Sequence, residues 1–234
     1  MSGWQPTTEG DGDERDAMLK KAIEQASGGQ TQDAARTLQT LIGEGGDGFA
    51  SRMMLAKLLL DGPNPTAAAR HLEAARGHHS EAIEPLVLLA NLARTSGQVT
   101  EEKAHLTAAL AIDGDSLEPA ARLLMLAIVT GDAAAQSVAQ ARVRGIAPLH
   151  PMSLAAEALA MAPRKAERAM ATKRLRRALR NLQPGVGPVD TFVVAALAAQ
   201  ALGQADDAKT LAAAARKDPK LPKVALDRLR SIGG

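Results

Sequence analysis

The sequence predicts an all-α protein built from repeated pairs of helices, and three observations lead to this class. Alanine, the residue with the highest helix propensity, makes up about a fifth of the 234-residue chain. Aromatic residues make up only 1%, and no stretch alternates apolar and polar residues as half-buried strands do, so sandwiches and barrels are excluded. Residues that end helices recur 34 positions apart, at Gly29, Pro63, Gly97 and Gly131.

The 34-residue period divides most of the chain into six repeats, each predicted to be two helices joined by a tight turn. Packing residues keep the same offset, as Leu38, Leu72 and Leu106 show. The register slips by about one residue in the fifth repeat. An amphipathic segment, 223–232, is predicted to cap the exposed face of the last repeat. The predicted repeats are residues 15–48, 49–82, 83–116, 117–150, 151–186 and 189–221.

The second helix of each repeat is expected to begin shortly after the turn. Thr31 and Thr100 are candidate N-cap residues in the first and third repeats, because a hydroxyl can accept from the free amides of a helix start. Asn64, followed by Pro65 at the first helical position, is the candidate in the second repeat. These local signals agree with the period.

Composition and charge limit the environment and the classes of partner. The chain has no Cys, which removes disulfides, thiolate metal sites and cysteine nucleophiles. Its 28 basic and 26 acidic residues nearly balance, so charge alone names no partner. No apolar stretch approaches the roughly 18 residues that a membrane span requires, and the N-terminus lacks a secretion signal. We therefore expect a soluble, cytoplasmic protein, and the alanine- and arginine-rich composition favours a bacterial one.

No residue pattern predicts catalysis. The five histidines show no metal-ligand spacing, and the glycine-rich segment 43–48 lacks the Lys-Ser/Thr ending of a phosphate-binding loop. We therefore expect no catalytic residue, no cofactor and no metal site, and a protein that is not an enzyme.

A helix-turn-helix period of 34 residues resembles the tetratricopeptide repeat family over residues 15–232. The matching residues are the Leu-Ala pairs Leu55-Ala56 and Leu89-Ala90, the turn glycines Gly29, Gly97, Gly131 and Gly203, and the small residues Ala34, Ala68 and Ala208. Aliphatic residues such as Met18 and Leu59 fill the family's aromatic positions. The resemblance implies a right-handed superhelical α-solenoid of about six repeats plus a C-terminal capping helix. A generic α-solenoid or a compact helical bundle is the alternative.

The resemblance also implies a concave groove, lined by the first helix of each repeat, that holds a partner peptide or helix. Basic residues and Asn91 on successive first helices resemble the family's clamp for a partner's carboxylate. Ordinary packing between repeats is the alternative for each apolar position. The predicted groove residues are Lys20, Met53, Met54, Lys57, Val87, Leu88, Asn91, Arg94, Arg122 and Met125.

A second candidate surface is the basic segment 164–180. Leu175 and Ala178 belong to its predicted buried stripe, so the basic side chains fan over the remaining surface. They are either a solvated convex face or a site for an anionic partner, which could be an acidic protein, a nucleic acid or a membrane surface. Nucleic acid is the weaker version, since no aromatic residue offers a stacking platform. The predicted patch is Arg168, Lys173, Arg174, Arg176, Arg177 and Arg180.

Together these patterns predict a non-enzymatic adaptor, scaffold or chaperone-like module that binds an acidic peptide or an amphipathic helix of a partner protein. A binder of an anionic partner through residues 164–180 is the alternative. Residues 1–14 are predicted to form a flexible acidic tail, and Trp4, the single tryptophan, is a candidate to dock in the groove. The sequence leaves self-association open.

Overall fold

A computed structural model describes residues 9–62, 65–180, 182 and 188–232. Within these ranges the secondary structure consists of thirteen α-helices and two single-turn 3-10 segments, Pro65–Ala67 and Lys165–Glu167, without a strand. The helices are α1 (Glu9–Ser27), α2 (Thr31–Gly43), α3 (Phe49–Leu60), α4 (Ala68–His78), α5 (Glu84–Thr95), α6 (Val99–Ile112), α7 (Leu117–Thr130), α8 (Ala133–Ile146), α9 (Pro151–Met161), α10 (Arg168–Arg180), α11 (Val189–Leu202), α12 (Ala205–Ala215) and α13 (Lys223–Leu229). The predicted all-α class of six helix pairs and a final helix is confirmed.

The helix boundaries differ from the sequence prediction at three points. α1 begins at Glu9, inside the segment assigned to the acidic tail. The N-cap residues of α2 and α6 are Gln30 and Gln98, and neither caps through its side chain, so Thr31 and Thr100 are not the caps. Asn64 lies outside the described residues.

Glycine ends the first helix of a pair where the chain must enter the left-handed region. Gly131 has φ 73°, and the turn is closed by the amide of Asp132, which donates to the carbonyl of Ala127 at 3.0 Å. Gly203 repeats the arrangement, with φ 77° and a bond of 2.9 Å from Gln204 to Ala199. A side chain at either position would be strained, which explains why the turn residue of the period is Gly.

The chain folds into two compact units, Met1–Leu92 and Ala93–Gly234. In the N-terminal unit α1 pairs with α2, α3 pairs with α4, and α2 contacts α3. One apolar cluster consists of Ala22, Leu38, Leu41 and Leu55. A second consists of Met53, Ala56, Ala68, Leu72, Ala75 and Leu89. Leu38 and Leu72, which lie 34 positions apart, are therefore core residues of this unit.

The C-terminal unit is organised around α7 and α11, two mostly apolar helices that are buried on nearly every side. All residues of α7 from Pro119 to Val129 except Leu123 are buried, as are those of α11 from Asp190 to Ala199. α7 packs against α6, α8, α11 and α13, and α11 packs against α9, α10 and α12 as well. A helix without a polar face needs neighbours all round, so α7 and α11 meet although they belong to the fourth and sixth repeats.

Helix α13 is the predicted C-terminal helix, but its position differs from the prediction. It lies against α7 and α11, with Ala225 and Leu229 fully buried, instead of only covering the end of the array. Arg216 of the preceding segment donates to the carbonyl oxygens of Leu229 at 2.6 Å and Ile232 at 3.0 Å. These bonds satisfy acceptors at the end of a short helix and hold it in place.

Candidate partner-binding site

The predicted groove residues of the N-terminal unit divide into buried and exposed members. Met53 belongs to an apolar core cluster and is only 4% exposed. Met54 and Leu88 are half-buried and pack against the two core clusters of this unit. Val87 and Asn91 are also half-buried. Their burial favours the packing alternative for Met53 and leaves the others partly accessible.

The two lysines predicted in this unit are exposed. Lys20 lies on the solvent side of α1. The Lys57 ammonium on α3 forms a salt bridge of 2.8 Å with the carboxylate of Glu84, at the start of α5. Both side chains of this pair are about half exposed, so the pair contributes little to stability. A partner carboxylate that binds Lys57 would have to compete with Glu84.

Arg94 and Arg122, predicted to clamp a partner's carboxylate, are instead buried inside the C-terminal unit. Arg94 is 8% exposed and donates through both terminal nitrogens to the carboxylate of Asp190, with Nη1 3.1 Å from Oδ2. Its Nε donates to the carbonyl oxygen of Lys220 at 3.0 Å. Arg122 is 4% exposed and donates to Oε1 of Glu102 at 2.9 Å. Neither guanidinium lies on the surface that a partner would meet.

The four groups form one buried network, because Nη1 of Arg94 also lies 3.9 Å from Oε1 of Glu102. Desolvation lowers the pKa of Arg94, but the carboxylates of Asp190 and Glu102 outweigh it and raise the pKa above its ordinary value. Burial raises the pKa of Glu102, although Arg122 and Arg94 oppose the shift. The carboxylates of Asp190 and Glu102 therefore supply counter-charges for the two guanidinium groups inside the unit.

The remaining predicted groove residue of the C-terminal unit, on α7, does not face an open groove. Met125 of α7 is fully buried. The side of α7 and α11 on which α13 lies is covered by Ala225 and Leu229. In this unit, therefore, three of the predicted groove residues, Arg94, Arg122 and Met125, are buried.

An open groove lies elsewhere in the same unit, between α6 and α8 with α7 as its floor. It has a volume of about 580 Å³. α7 contributes Ala120, Leu123 and Ala127 to the floor, residues at helical spacing on one face. The remaining lining residues are Lys103, Thr107, Leu110 and Ala111 of α6, together with Asp132, Ala134, Ala135, Val138, Ala139 and Arg142 from the α8 side. We call this cavity the outer groove.

The outer groove is apolar inside and charged at its rims. Alanine lines much of the α8 wall, so no side chain is large enough to fill the space between α6 and α8. Val138 projects beside this wall. The residue is 68% exposed, which is more than for the exposed apolar residues Ile23, Ile112, Leu149 and Met170. Lys103 lies on one rim and Arg142 on the other, where Arg142 donates to the carbonyl of Gly114 at 3.0 Å. This arrangement suits an apolar stripe flanked by carboxylates.

The outer groove is not predicted by the sequence pattern, although α8 carries one signal of it. In α8 the buried stripe runs through Ala139 and Val143, and Val138 lies beside it on a face that is otherwise alanine and polar. A large apolar side chain off the buried stripe is a recognisable sign of an interaction surface. Single exposed apolar residues are common, however. Only the folded structure shows that alanines of α6 and α7 line the same groove as Val138.

The predicted basic patch falls on α10, and its members divide by their partners. The buried stripe is as predicted, with Ala171, Leu175 and Ala178 fully buried. Arg174 forms an ion pair of 3.2 Å with Glu157 on α9, and Arg168 donates to the carbonyl of Leu202 at 2.9 Å. The other four members are exposed: Lys173, Arg176, Arg177 and Arg180.

Two histidines of the N-terminal unit, His71 and His78, belong to a charged cluster. Asp47 binds Arg52 through two bonds, of 2.6 and 2.5 Å, and lies 3.0 Å from Nε2 of His78. The hydrogen bonds from Arg52, with a smaller contribution from His78, lower the pKa of Asp47 to about 2. His71 is buried beside Arg52, and desolvation lowers its pKa. Among the described residues no three His, Asp or Glu side chains gather as a metal site would require.

Of the helices in the described ranges, none combines the length and the apolar character needed to cross a bilayer. Trp4 lies outside the described residues, so its predicted docking in the groove stays a prediction.

Solved structures with a similar fold share little sequence with this chain. The MamA protein superposes with a TM-score of 0.60 at 16% identity, covering 72% of this chain and 92% of that chain. PilF of Pseudomonas aeruginosa gives 0.59 at 13% identity, covering 89% and 93%. The C-terminal part of a TPR repeat-containing protein from Cytophaga hutchinsonii gives 0.62 at 12% identity, covering 92% and 88%. No protein-family model and no curated protein sequence matches the chain.

The described residues form successive helix pairs with an additional C-terminal helix. More particularly, the chain has a tetratricopeptide-like fold, which confirms the resemblance that the 34-residue period indicates. At these identities the likeness concerns the fold alone.

Proposed function

We propose that this chain is a non-enzymatic interaction module, an adaptor or scaffold that binds an amphipathic helix of a partner protein in the outer groove. The observation that carries the proposal is the groove itself, an open apolar cavity next to the exposed side chain of Val138. Helix-in-groove recognition needs an apolar channel that is open before binding. The proposal places the chain in a bacterial cytoplasm on the basis of its composition.

The rims of the outer groove define the chemistry of the partner. A helix in the groove presents one apolar stripe to the alanine wall, and its flanking side chains lie near Lys103 and Arg142. Glu or Asp at these flanks would gain charge-assisted hydrogen bonds. Asp132 at one end is already occupied as the N-cap of α8, where it accepts from the amide of Ala135 at 3.0 Å. The partner is therefore an acidic amphipathic helix.

The half-exposed groove residues of the N-terminal unit remain a second candidate surface for the same function. Four of these residues are partly accessible: Met54, Val87, Leu88 and Asn91. Lys57 of α3, whose side chain is about half exposed, adds a cation to the same predicted set of groove residues. Methionine adapts to varied apolar partners, which suits such a surface. Lys57→Glu tests it, because the reversed charge would repel both Glu84 and an acidic partner.

The test measures binding of a fluorescein-labelled synthetic helix that carries one Leu stripe flanked by Glu. We expect Val138→Glu to weaken binding by about tenfold or more, since it places a carboxylate at the mouth of an apolar groove. Ala135→Phe should have a similar effect by filling the groove without changing its charge. Leu149→Glu is the matched control, because Leu149 is an exposed apolar residue that does not line the groove.

The result separates the two surfaces. Loss of binding in Val138→Glu and Ala135→Phe, with Leu149→Glu unchanged, supports the outer groove. Loss only in Lys57→Glu assigns binding to the N-terminal unit. Equal binding by all variants, or no binding by the wild-type chain, would refute the proposed site.

A further inference from the structure

The basic segment 164–180 contains two kinds of cation. Arg164 pairs with Glu167 at 2.9 Å, and Arg174 pairs with Glu157 at 3.2 Å. Arg168 donates to the carbonyl oxygens of Ala162 at 3.3 Å and of Leu202 at 2.9 Å. These three arginines are engaged within the chain, so structure alone accounts for them.

The other cations on α10 lack a counter-charge. Lys173, Arg176, Arg177 and Arg180 are exposed, and none of them forms a salt bridge with a described residue. Their spacing places each three or four positions from two others of the four, so like charges face one another along two turns. Arg177 and Arg180 lie in the last turn and are stabilised by the helix dipole, but Lys173 and Arg176 are not.

An open recess lies among these cations. It has a volume of about 700 Å³ and is lined by Lys173, Arg176 and Arg180, with Ala169, Thr172 and Leu179 between them. The surface thus offers cations and an apolar contact side by side. A ligand that satisfies both must carry anionic groups and an apolar side chain at neighbouring positions.

We propose that this face of α10 is a docking site for an acidic segment of a partner protein, with Glu or Asp on the three cations and an apolar side chain in the recess. Carboxylates supply the counter-charge that α10 lacks, and bidentate pairing favours arginine for this task. An aliphatic side chain fills the space over Leu179. The site is separate from the outer groove and does not depend on it.

Other anionic ligands fit the face less well. Nucleic acid would satisfy the cations, but none of the residues lining the recess is aromatic, so bases have no stacking platform. A membrane-bound helix must insert its apolar face, and the apolar stripe of α10, formed by Ala171, Leu175 and Ala178, is fully buried in the protein. Charge together with an apolar recess therefore favours a protein segment.

The experiment uses the full chain, both as wild type and with Val138→Glu to close the outer groove, and a fluorescein-labelled synthetic helix in which two Glu flank one Leu in each turn. Binding is measured by anisotropy at about 50 mM salt and again at about 200 mM. We expect the triple variant Lys173→Glu, Arg176→Glu, Arg180→Glu to weaken binding by at least about tenfold. The matched control, Lys209→Glu, Lys217→Glu, Lys223→Glu, changes net charge equally at exposed positions elsewhere and should bind as wild type does.

Two further arms test the recess and the fold. A helix with Ser in place of Leu should bind more weakly to either chain, and in the Val138→Glu chain the α10 triple variant should still weaken binding of the Leu helix by at least about tenfold. Circular dichroism checks that each variant is helical. If the triple variant does not fold, the neutral pair Lys173→Gln, Arg176→Gln takes its place, with an expected loss of about threefold or more.

Three results would overturn the proposal. Equal loss in both triple variants means that binding follows net charge and overturns the proposal, as does indifference to the Leu-to-Ser change. Tighter binding of oligo-dT, duplex DNA or phosphatidylserine vesicles than of the Leu helix, abolished by the α10 triple variant, assigns the face to nucleic acid or membrane and also overturns it.

Discussion

Arg94 donates through both terminal guanidinium nitrogens to the carboxylate of Asp190, a residue 96 positions further along the chain. The pair is buried, and Asp190 lies in the first turn of α11, where the helix dipole also favours its charge. The third nitrogen of Arg94 donates to Lys220, just before α13. One side chain thus links the end of α5, the start of α11 and the segment that leads into α13.

Removing the carboxylate should destabilise the C-terminal unit. Asp190→Asn leaves the Arg94 guanidinium buried without its main counter-charge, and we expect the free energy of unfolding to fall by about 3 kcal/mol. Urea unfolding followed by circular dichroism measures it. Asp206→Asn is the matched control, since Asp206 is a first-turn carboxylate of α12 that is exposed, and its loss should cost less than about 1 kcal/mol.

The double variant Arg94→Met, Asp190→Leu tests whether the loss in Asp190→Asn comes from the buried charge that is left without a partner. It removes both charges and replaces them with apolar side chains, so it should be more stable than Asp190→Asn. A double variant less stable than Asp190→Asn would show that the hydrogen bonds of Arg94, including the bond to Lys220, outweigh the cost of burying charge.

Helix α13 should depend strongly on one side chain. Leu229 is fully buried, and Leu229→Ala should lower the free energy of unfolding by about 2 to 5 kcal/mol. Hydrogen exchange should also become faster in α13, because the helix is too short to persist without packing. Leu226→Ala is the control: Leu226 is half-buried, so its loss should be smaller. Similar losses in the two variants would contradict the described position of α13.

Two glycines should respond to alanine with opposite signs. Gly131 has φ 73°, so Gly131→Ala should destabilise by about 1 kcal/mol through strain in the left-handed region. Gly145 lies within α8 without a positive φ, and a Cβ there meets nothing within 4 Å. Gly145→Ala should therefore stabilise by about 0.5 to 1 kcal/mol. Thermal unfolding compares them, and a loss in both would mean that Gly145 has a role that its surroundings do not show.

The acid sensitivity of the N-terminal unit should depend on Asp47. Because its pKa in the folded chain is about 2, below the ordinary value of 3.8, its ionised form stabilises the fold. This contribution is complete above about pH 4 and is lost as the pH falls towards about 2. Unfolding at several pH values should show a smaller acid loss in Asp47→Asn than in wild type, whereas Asp61→Asn, at the exposed end of α3, should keep the wild-type slope.

The helix pairs could be predicted from the sequence because their signals are local. Gly29, Gly97 and Gly131 keep the 34-residue period and each end one helix, and apolar residues at helical spacing mark the face that each helix buries. The two cap predictions failed for a local reason as well. The left-handed glycine turns at Gly29 and Gly97 start the next helix one position earlier than Thr31 indicates and two positions earlier than Thr100 indicates.

The candidate sites could be predicted only in part. The basic patch was found because its cations are consecutive in sequence, although the partners of Arg168 and Arg174 come from other helices. The sequence pattern predicts an open surface at Arg94 and Arg122, because both lie on the first helix of a repeat, which is expected to line the groove. Nothing near Arg94 in the sequence reveals that Asp190 will meet it, so its burial follows from tertiary packing alone.

The position of α13 against α7 has a consequence for how the C-terminal unit unfolds. In a linear array each repeat contacts only its neighbours, so the last repeats can fray while the others stay folded. Here the last helix closes on the fourth repeat, and Arg94 joins segments nearly a hundred residues apart, so the terminal repeats cannot leave without opening the centre. The unit should therefore unfold in a single cooperative transition, and its folding should be slowed by the need to close long loops.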